Sequence, residues 1–363
     1  LPRLKPEQEP ASPAYEDLYR QGAIASAAFT AATLSRLLEC SLAISAWKQA
    51  GDTRWALRAN PSSGNLHPTE ADVLIDQVEG VSSSPGLYHY AAREHGLELR
   101  AEWPAGRFRS LMRAFPPDAF LLGLTSVNWR ETWKYGERAF RYCQHDVGHA
   151  LGSARIAAQM LGWRMLLLDG VSDHTVASLL GVDRCGDYEG AEREHPDCLA
   201  VLWPAHEASS LVAPQVVSLS LFVEADEAQH LPPRIWHGKA NRLSRGDPVH
   251  WEIIRQVSCG QEIAGDGAFS LGMIAEFEST LRRRGRWTYR RLFWEAGVIG
   301  QLLYLEAEAI GARATGIGCF FDDLVHQVMG FGDSAFQSLY HFTIGGPVED
   351  LRLSTLPPYG LDR

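Results

Sequence analysis

Between residues 58 and 70 the chain reads Arg58-Ala59-Asn60-Pro61-Ser62-Ser63-Gly64-Asn65-Leu66-His67-Pro68-Thr69-Glu70, a run of short polar side chains broken by proline and glycine. Proline and glycine stop regular structure, while serine and asparagine carry hydrogen-bonding groups on short stems. The run therefore reads as a binding loop, with an ordinary turn as the alternative. Ser63 lacks the Gly-x-Ser-x-Gly setting of a hydrolase nucleophile, which disfavours hydrolase chemistry. In His145-Asp146-Val147-Gly148-His149 two histidines share a helix face, a pattern like the zinc-binding His-Glu-x-x-His with aspartate for glutamate. Gly148 would weaken a ligand-bearing helix and no third ligand suggests itself, so these are better read as interface or core histidines, and no metal is expected. In Ala314-Thr315-Gly316-Ile317-Gly318-Cys319-Phe320 the glycines could let main chain approach a flat ligand, or could merely end a helix.

The elements that must position these stretches can be read from periodicity. Helical segments are expected at about Tyr15 to Ala27 and Ala32 to Lys48, the latter with Leu34, Leu37, Leu38 and Leu42 at helical spacing. After the loop come a strand Ala71 to Ile75, a hairpin at Gly86-Leu87-Tyr88-His89-Tyr90, a short helix Ala105 to Ala114 and a strand Phe120 to Val127. A long helix from about Thr132 to Leu161 follows, then a strand Arg164 to Leu168, a helix His174 to Leu180 and a strand Cys198 to Trp203. Part of this recurs. Placing Gly148 on Gly297 gives an offset of 149, which also places Arg141 on Arg290, Gly162 on Gly311 and Gly181 on Gly330. Tyr142 to Trp163 then pairs with Arg291 to Ala312 as two long helices, so the chain reads as an internal duplication with halves 1–210 and 211–363. Two helices that merely share apolar periodicity are the alternative.

The Pro-Ser-Ser-Gly turn, the Gly86-Leu87-Tyr88-His89-Tyr90 hairpin and the run Trp133-Lys134-Tyr135-Gly136-Glu137-Arg138-Ala139-Phe140-Arg141-Tyr142 occur in an order that resembles the nitroreductase superfamily, in particular its SagB-type dehydrogenase branch. The resemblance implies an α+β nitroreductase-like fold, with two fused halves forming a pseudo-dimer within one chain around long central interface helices. It also implies FMN as cofactor. In the family one flavin is held by a loop of the first kind from one subunit and a glycine loop of the second kind from the other. The first half here keeps Pro-Ser-Ser-Gly-Asn and the second keeps Gly-Ile-Gly, so one FMN per chain is expected. Implied cofactor-binding residues are Arg58, Pro61, Ser62, Ser63, Asn65, Gly316, Ile317, Gly318 and Arg352. The serines and Asn65 would offer donors to the ring, and Arg352, or Arg58 or Arg255, would supply fixed positive charge for the phosphate. The Arg-Arg-Ser run that usually grips that phosphate is absent from both halves. Either the clamp is lost or residues are missing between Gln256 and Val257. Lys134 and Tyr135 match the Lys-Tyr pair that SagB-type enzymes place near the flavin to take a proton during dehydrogenation. Pairing of Lys134 with Glu131 on the helix surface is the competing account.

The 363 residues carry a net charge of -10, and the one basic run, Arg282-Arg283-Arg284, is short, which argues against a nucleic-acid partner. No apolar stretch approaches a membrane span and no signal pattern opens the chain, so a cytoplasmic protein acting on a small molecule is expected. The six cysteines show no Cys-x-x-Cys spacing and read as reduced, small core residues. The expected activity is oxidoreduction through one flavin: either NAD(P)H-driven reduction of a planar acceptor, or SagB-like substrate dehydrogenation. The rival is a flavin-sequestering or sensory protein with a closed site and no turnover.

Overall fold

The computed structural model describes residues 1–3, 13–20, 22–205 and 248–360, with the side chains of 248–250 left aside. Two compact units emerge, Leu1–Asp226 with Arg352–Arg363, and Glu227–Leu351.

In the first unit, helix α1 (Ala31–Ser41) starts at Thr30, whose side chain and that of Thr33 cap each other's backbone amides. Its buried stripe is Leu34, Leu37 and Leu38. The helix stops earlier than the periodicity predicts, and the segment beyond it forms a hairpin, β1 (Ile44–Ala50) and β2 (Thr53–Arg58). The other edge of β1 pairs with a carboxy-terminal strand, Ser354–Leu356, and the Trp47 indole donates to the Pro358 carbonyl at 2.9 Å. Those partners lie about 300 positions away, where local periodicity cannot see them. The helix expected from Tyr15 to Ala27 is likewise only a 3-10 turn, Tyr15–Tyr19, among the described residues.

The remaining strands are β3 (Thr69–Ile75), β4 (Gly86–Ala91), β5 (Gly96–Glu102), β6 (Phe120–Ser126), β7 (Trp163–Leu167) and β8 (His195–Pro204). They form one antiparallel sheet in the order β5-β4-β3-β6-β8-β7. On one face Leu74, Leu87, Leu121, Val201 and Trp203 pack with residues of α2 (Ala105–Met112) and of Asp173–Leu180. The alternate residues Val73, Ile75, Leu122 and Leu124 are buried too, as period-two geometry requires of a sheet covered on both sides.

The long helix expected from Thr132 is broken. A first helix, α3 (Trp129–Tyr135), ends at Gly136, whose φ of 57° and ψ of -131° suit glycine alone. After one 3-10 turn, α4 (Ala139–Met160) begins, packs on α1, β3 and β6, and buries most of its length.

The second unit contains α6 (Pro248–Val257), α7 (Glu262–Asp266), β9 (Phe269–Glu276), α8 (Glu278–Arg284), α9 (Thr288–Ala309), β10 (Arg313–Ile317), α10 (Asp322–Met329) and β11 (Phe336–Gly345), with Asp173–Leu180 of the first unit counted as α5 and the carboxy-terminal strand as β12. Its sheet runs β10-β11-β9, antiparallel throughout. Both ends of α4 and of α5 are matched by α9 and α10 at 149 positions' distance, and Gly181 and Gly330 cap their helices in the same left-handed conformation. Gln256 and Val257 form the last turn of α6.

Candidate functional site

Strand β2 delivers the polar run at Arg58 and β3 takes it away at Thr69. Between them the loop is built around Asp146, a fully buried residue on α4. The Ser63 N–H and Oγ both donate to Asp146 Oδ1, at 3.0 and 3.2 Å, and the Ser62 hydroxyl also bonds to that carboxyl. The Ser62 Oγ in turn accepts from the His67 N–H at 2.8 Å. The Asn65 Nδ2 donates to the Ala56 carbonyl at 2.8 Å and the Arg58 guanidinium to the Thr69 carbonyl at 3.1 Å. Pro61 is half-buried at the start of the turn. The predicted binding side chains are thus the loop's own scaffold. Three positive-φ positions within four residues, Gly64, Asn65 and His67, bend it sharply.

Lys134 and Tyr135 come to this loop. A Cβ at Gly64 would land on the Tyr135 hydroxyl and lie 3.0 Å from Lys134 Nζ. The break at Gly136 makes this possible: it lets the Tyr135 ring stand edge-on to Tyr142 of α4, with centroids 4.8 Å apart at 90°. Lys134 Nζ lies 5.1 Å from the centre of the Tyr135 ring, on an exposed side chain. Trp129 and Trp133 are exposed on the same helix.

Beneath the loop is a charged network that spacing did not reveal. Glu70 pairs with Arg130 and, at 3.3 Å, with His89, whose other nitrogen is 3.1 Å from Glu98. Arg130 also donates to the His67 carbonyl at 2.8 Å and to Glu192 at 2.8 Å. Burial alone would raise the Glu70 pKa, but the His89 hydrogen bond and the Arg58 and Arg130 charges outweigh it and hold the carboxyl at about 2. For His89 burial is likewise overcome, by Glu70 and Glu98, and the imidazole rises to about 9. Burial, with Arg58 nearby, lowers His67 to about 4. Two carboxyls go the other way. Asp146 is pushed up to about 7 by burial despite the serine hydrogen bonds, and Glu131, with no exposed surface, is pushed to about 8 by burial and then by Asp146. Neither Glu131 oxygen has a hydrogen-bond partner among the described residues.

The sequence offered only weak signals for these groups. Asp146 sat inside the His145–His149 motif considered for metal, and its use is to hold Ser62 and Ser63. Both histidines are buried in α4, and among the described residues no three His, Cys, Asp or Glu side chains gather as a ligand set.

The remaining candidates lie elsewhere. In the second unit Gly316 is in β10, its N–H donates to the Tyr304 hydroxyl at 2.9 Å, and a Cβ there would strike the Tyr340 hydroxyl. Close ring packing is thus one sufficient reason for that glycine. Ile317 is buried and pairs with His341 of β11, and Gly318 follows the strand end. Arg255 is engaged by Glu262 at 3.1 Å and Glu252 at 3.6 Å. Arg352 is exposed, two residues before β12, in the first unit. Of the six cysteines only Cys143 and Cys198 are buried; Cys40, Cys259 and Cys319 are half-buried and Cys185 is exposed, so the core reading holds for two. No helix among the described residues is long and apolar enough to cross a membrane.

No family model matches the sequence. The chain is 30% identical over 136 residues to the trifolitoxin-processing protein TfxB of Rhizobium leguminosarum bv. trifolii, a match covering 35% of this chain and 36% of that protein. It is 26% identical over 126 residues to a protein of Methanocaldococcus jannaschii that carries the name nitroreductase, covering 34% of this chain and 63% of the relative. The chain therefore spans less than two thirds of either relative. A solved structure from Anabaena variabilis, also named a nitroreductase, superposes with a TM-score of 0.66 at 21% identity over 87% of this chain and 88% of its own, which establishes a shared fold.

Proposed function

We propose that this chain, which shares its fold with a solved structure named a nitroreductase and part of its sequence with the two relatives above, is an FMN-dependent oxidoreductase of the nitroreductase superfamily whose flavin is held at the Ser62–Asn65 loop of the first unit. The observation that carries the reading is the meeting of Lys134 and Tyr135 with Gly64. The Pro-Ser-Ser-Gly turn and the Lys-Tyr pair, about seventy positions apart in sequence, share one spot on the folded chain.

The residues present suit such a group. A side-chain-free position at Gly64 offers a flat approach, and Lys134 Nζ stands beside it. Asn60 Oδ1 and His67 Nδ1 are buried without a partner among the described residues, so polar capacity remains beside the loop. FMN, when bound, supplies the hydride and electron-transfer chemistry; the protein supplies binding, orientation and electrostatics. Asp146 fixes the turn, Arg130 and Glu70 fix its exit, and Lys134 Nζ, with the Tyr135 hydroxyl, is placed to take a proton from a substrate. A general base must first be within reach of its proton, and exposed Lys134 can meet a ligand from solvent. The Lys-Tyr pair is the feature that the resemblance associates with substrate dehydrogenation, so the reading takes the SagB-like route over reduction of a planar acceptor by NAD(P)H, with Lys134 acting as base once a bound ligand desolvates Nζ and lowers its pKa. The participation of Gly316, Ile317, Gly318 and Arg352 in the same flavin, and the origin of the units as two fused halves, rest on the sequence resemblance.

The test is the visible spectrum of the purified full chain, with released flavin counted against protein, followed by Lys134→Met and Tyr135→Phe. The proposal expects one FMN per chain, retained in both variants, with turnover lost in Lys134→Met. Absence of flavin after incubation with FMN would refute it. Flavin held with no oxidation of NAD(P)H and no dehydrogenation of any substrate offered would favour sequestration.

A further inference from the structure

Two cysteines 60 positions apart meet in the second unit. The Cys319 Sγ lies 2.6 Å from the Cys259 Sγ, and both residues are half-buried. The segments carrying them are tied together independently of the sulfurs. The Phe321 N–H donates to the Val257 carbonyl at 2.8 Å, and the Gln261 amide donates to the Cys319 carbonyl at 3.1 Å and to the Ser258 carbonyl at 2.9 Å. Cys259 itself sits in a left-handed turn, φ 57°, followed by Gly260 at φ 72°. Non-glycine residues adopt that region only when surroundings impose it. The backbone thus holds two thiols in register, and about half an ångström separates them from a bonded distance of about 2.05 Å.

We propose that Cys259 and Cys319 form a redox-active dithiol that a small-molecule disulfide or a peroxide converts to a disulfide. With a small disulfide, one thiolate attacks a sulfur and expels one thiol, and the second thiolate then expels the other. Two protein thiols are oxidised and one external disulfide is reduced to two thiols. With hydrogen peroxide, the first thiolate becomes a sulfenic acid with loss of one water, and the second thiol displaces a second water. Partial exposure gives such reagents access, and the preset pairing favours closure over intermolecular exchange. The bond would tie the end of α6 to the residue directly after Gly316-Ile317-Gly318. The inference stands on the second unit alone and holds whether or not flavin binds.

The full chain, first reduced, is equilibrated with oxidised dithiothreitol or with hydrogen peroxide. Thiols are counted and peptides mapped without reduction. The expected result is the loss of two titratable thiols, a cross-linked peptide joining residues 259 and 319, and full reversal by reduced dithiothreitol. Oxidation should also raise the midpoint of denaturant unfolding in the parent protein but not in Cys319→Ser or Cys259→Ser. An unchanged thiol count, or cross-links that distribute among Cys40, Cys185 and the pair without preference, would overturn the proposal. Mapping the parent protein needs no variant to fold.

Discussion

Replacing Gly64 by alanine tests how the loop and the Lys134–Tyr135 pair are joined. Gly64 has φ 60°, a conformation that costs an L-residue about 1–2 kcal/mol. The added methyl would also meet the Tyr135 hydroxyl, with the ring carbon behind it at 3.1 Å. The hydroxyl is the far end of a side chain that can swing, so the clash resolves by moving the ring off Tyr142. Losing that edge-on contact costs about 0.5–1.5 kcal/mol. Glycine 51 provides the control: it has φ 54° and nothing within 4 Å of a built Cβ. Gly51→Ala should therefore show only the backbone cost, and Gly64→Ala an excess of about 1 kcal/mol, read as the difference in denaturant midpoints. The excess should shrink in the Tyr135→Phe background, where the first atom struck is gone. Affinity for added FMN should fall with Gly64→Ala and not with Gly51→Ala. Equal destabilisation by the two alanines, unaffected by Tyr135→Phe, would refute the placement of Tyr135 against the loop.

Other consequences follow from the charged groups. Asp146→Ala removes the acceptor for the Ser63 N–H and Oγ and should destabilise the chain by about 1–3 kcal/mol, the cost of stranding buried donors; urea unfolding reads this directly. His89 is raised from 6.5 to about 9 by Glu70 and Glu98, so its contribution is complete below pH 6.5 and lost as pH rises through 9. His89→Gln should flatten the decline between pH 6.5 and 9, with its largest loss of stability below pH 6.5, where the contribution of the imidazolium is complete. Glu131, raised from 4.5 to about 8, binds its proton more tightly folded than unfolded, so stability falls as pH rises from 4.5 to 8. Glu131→Gln, which keeps the shape without the ionisation, should remove that decline, and a profile unchanged by it would show that the carboxyl is not buried as described.

How far the sequence could be read depended on whether the deciding contact was local. Strands β3, β6 and β7 and helices α2 and α5 were legible within a few residues because alternation or helical spacing reports burial directly. The recurrence at 149 positions was visible from four aligned residues and reappears in the ends of α4 and α9. Residues 44–48 read as helix because an apolar run follows a good helix, and only pairing with Thr53–Arg58 and Ser354–Leu356 makes the segment a strand. The Gly136 break was hidden in a sequence otherwise fit for helix, since one glycine is tolerated inside helices and here terminates one. Motif reading singled out Ser62, Ser63, Lys134 and Tyr135, and the fold brings them to one loop. It gave Asp146 no role and placed Glu131 on the helix surface, whereas both are buried, because one carboxylate in a helical run looks like another until the loop is folded over it.

The scaffold role of the loop side chains changes what mutagenesis can show. Ser62 and Ser63 spend their hydroxyls on Asp146 and on the His67 amide, Asn65 spends its amide on Ala56, and Arg58 donates to Thr69. A Ser63→Ala variant that loses flavin would therefore prove little, because it also strips one hydrogen bond from a carboxyl that is wholly buried. Lys134 stands outside that scaffold. Its side chain is exposed and its nitrogen borders Gly64, so Lys134→Met can be expected to fold as the parent does. If catalysis needs a proton acceptor at Nζ, Lys134→Met should lower kcat by about 100-fold or more with flavin content and unfolding midpoint unchanged, within the range general-base removal usually costs. Loss of flavin without loss of stability would make Lys134 a binding residue. Unchanged kcat would remove it from the reaction, leaving Gly64 and Tyr135 as packing alone.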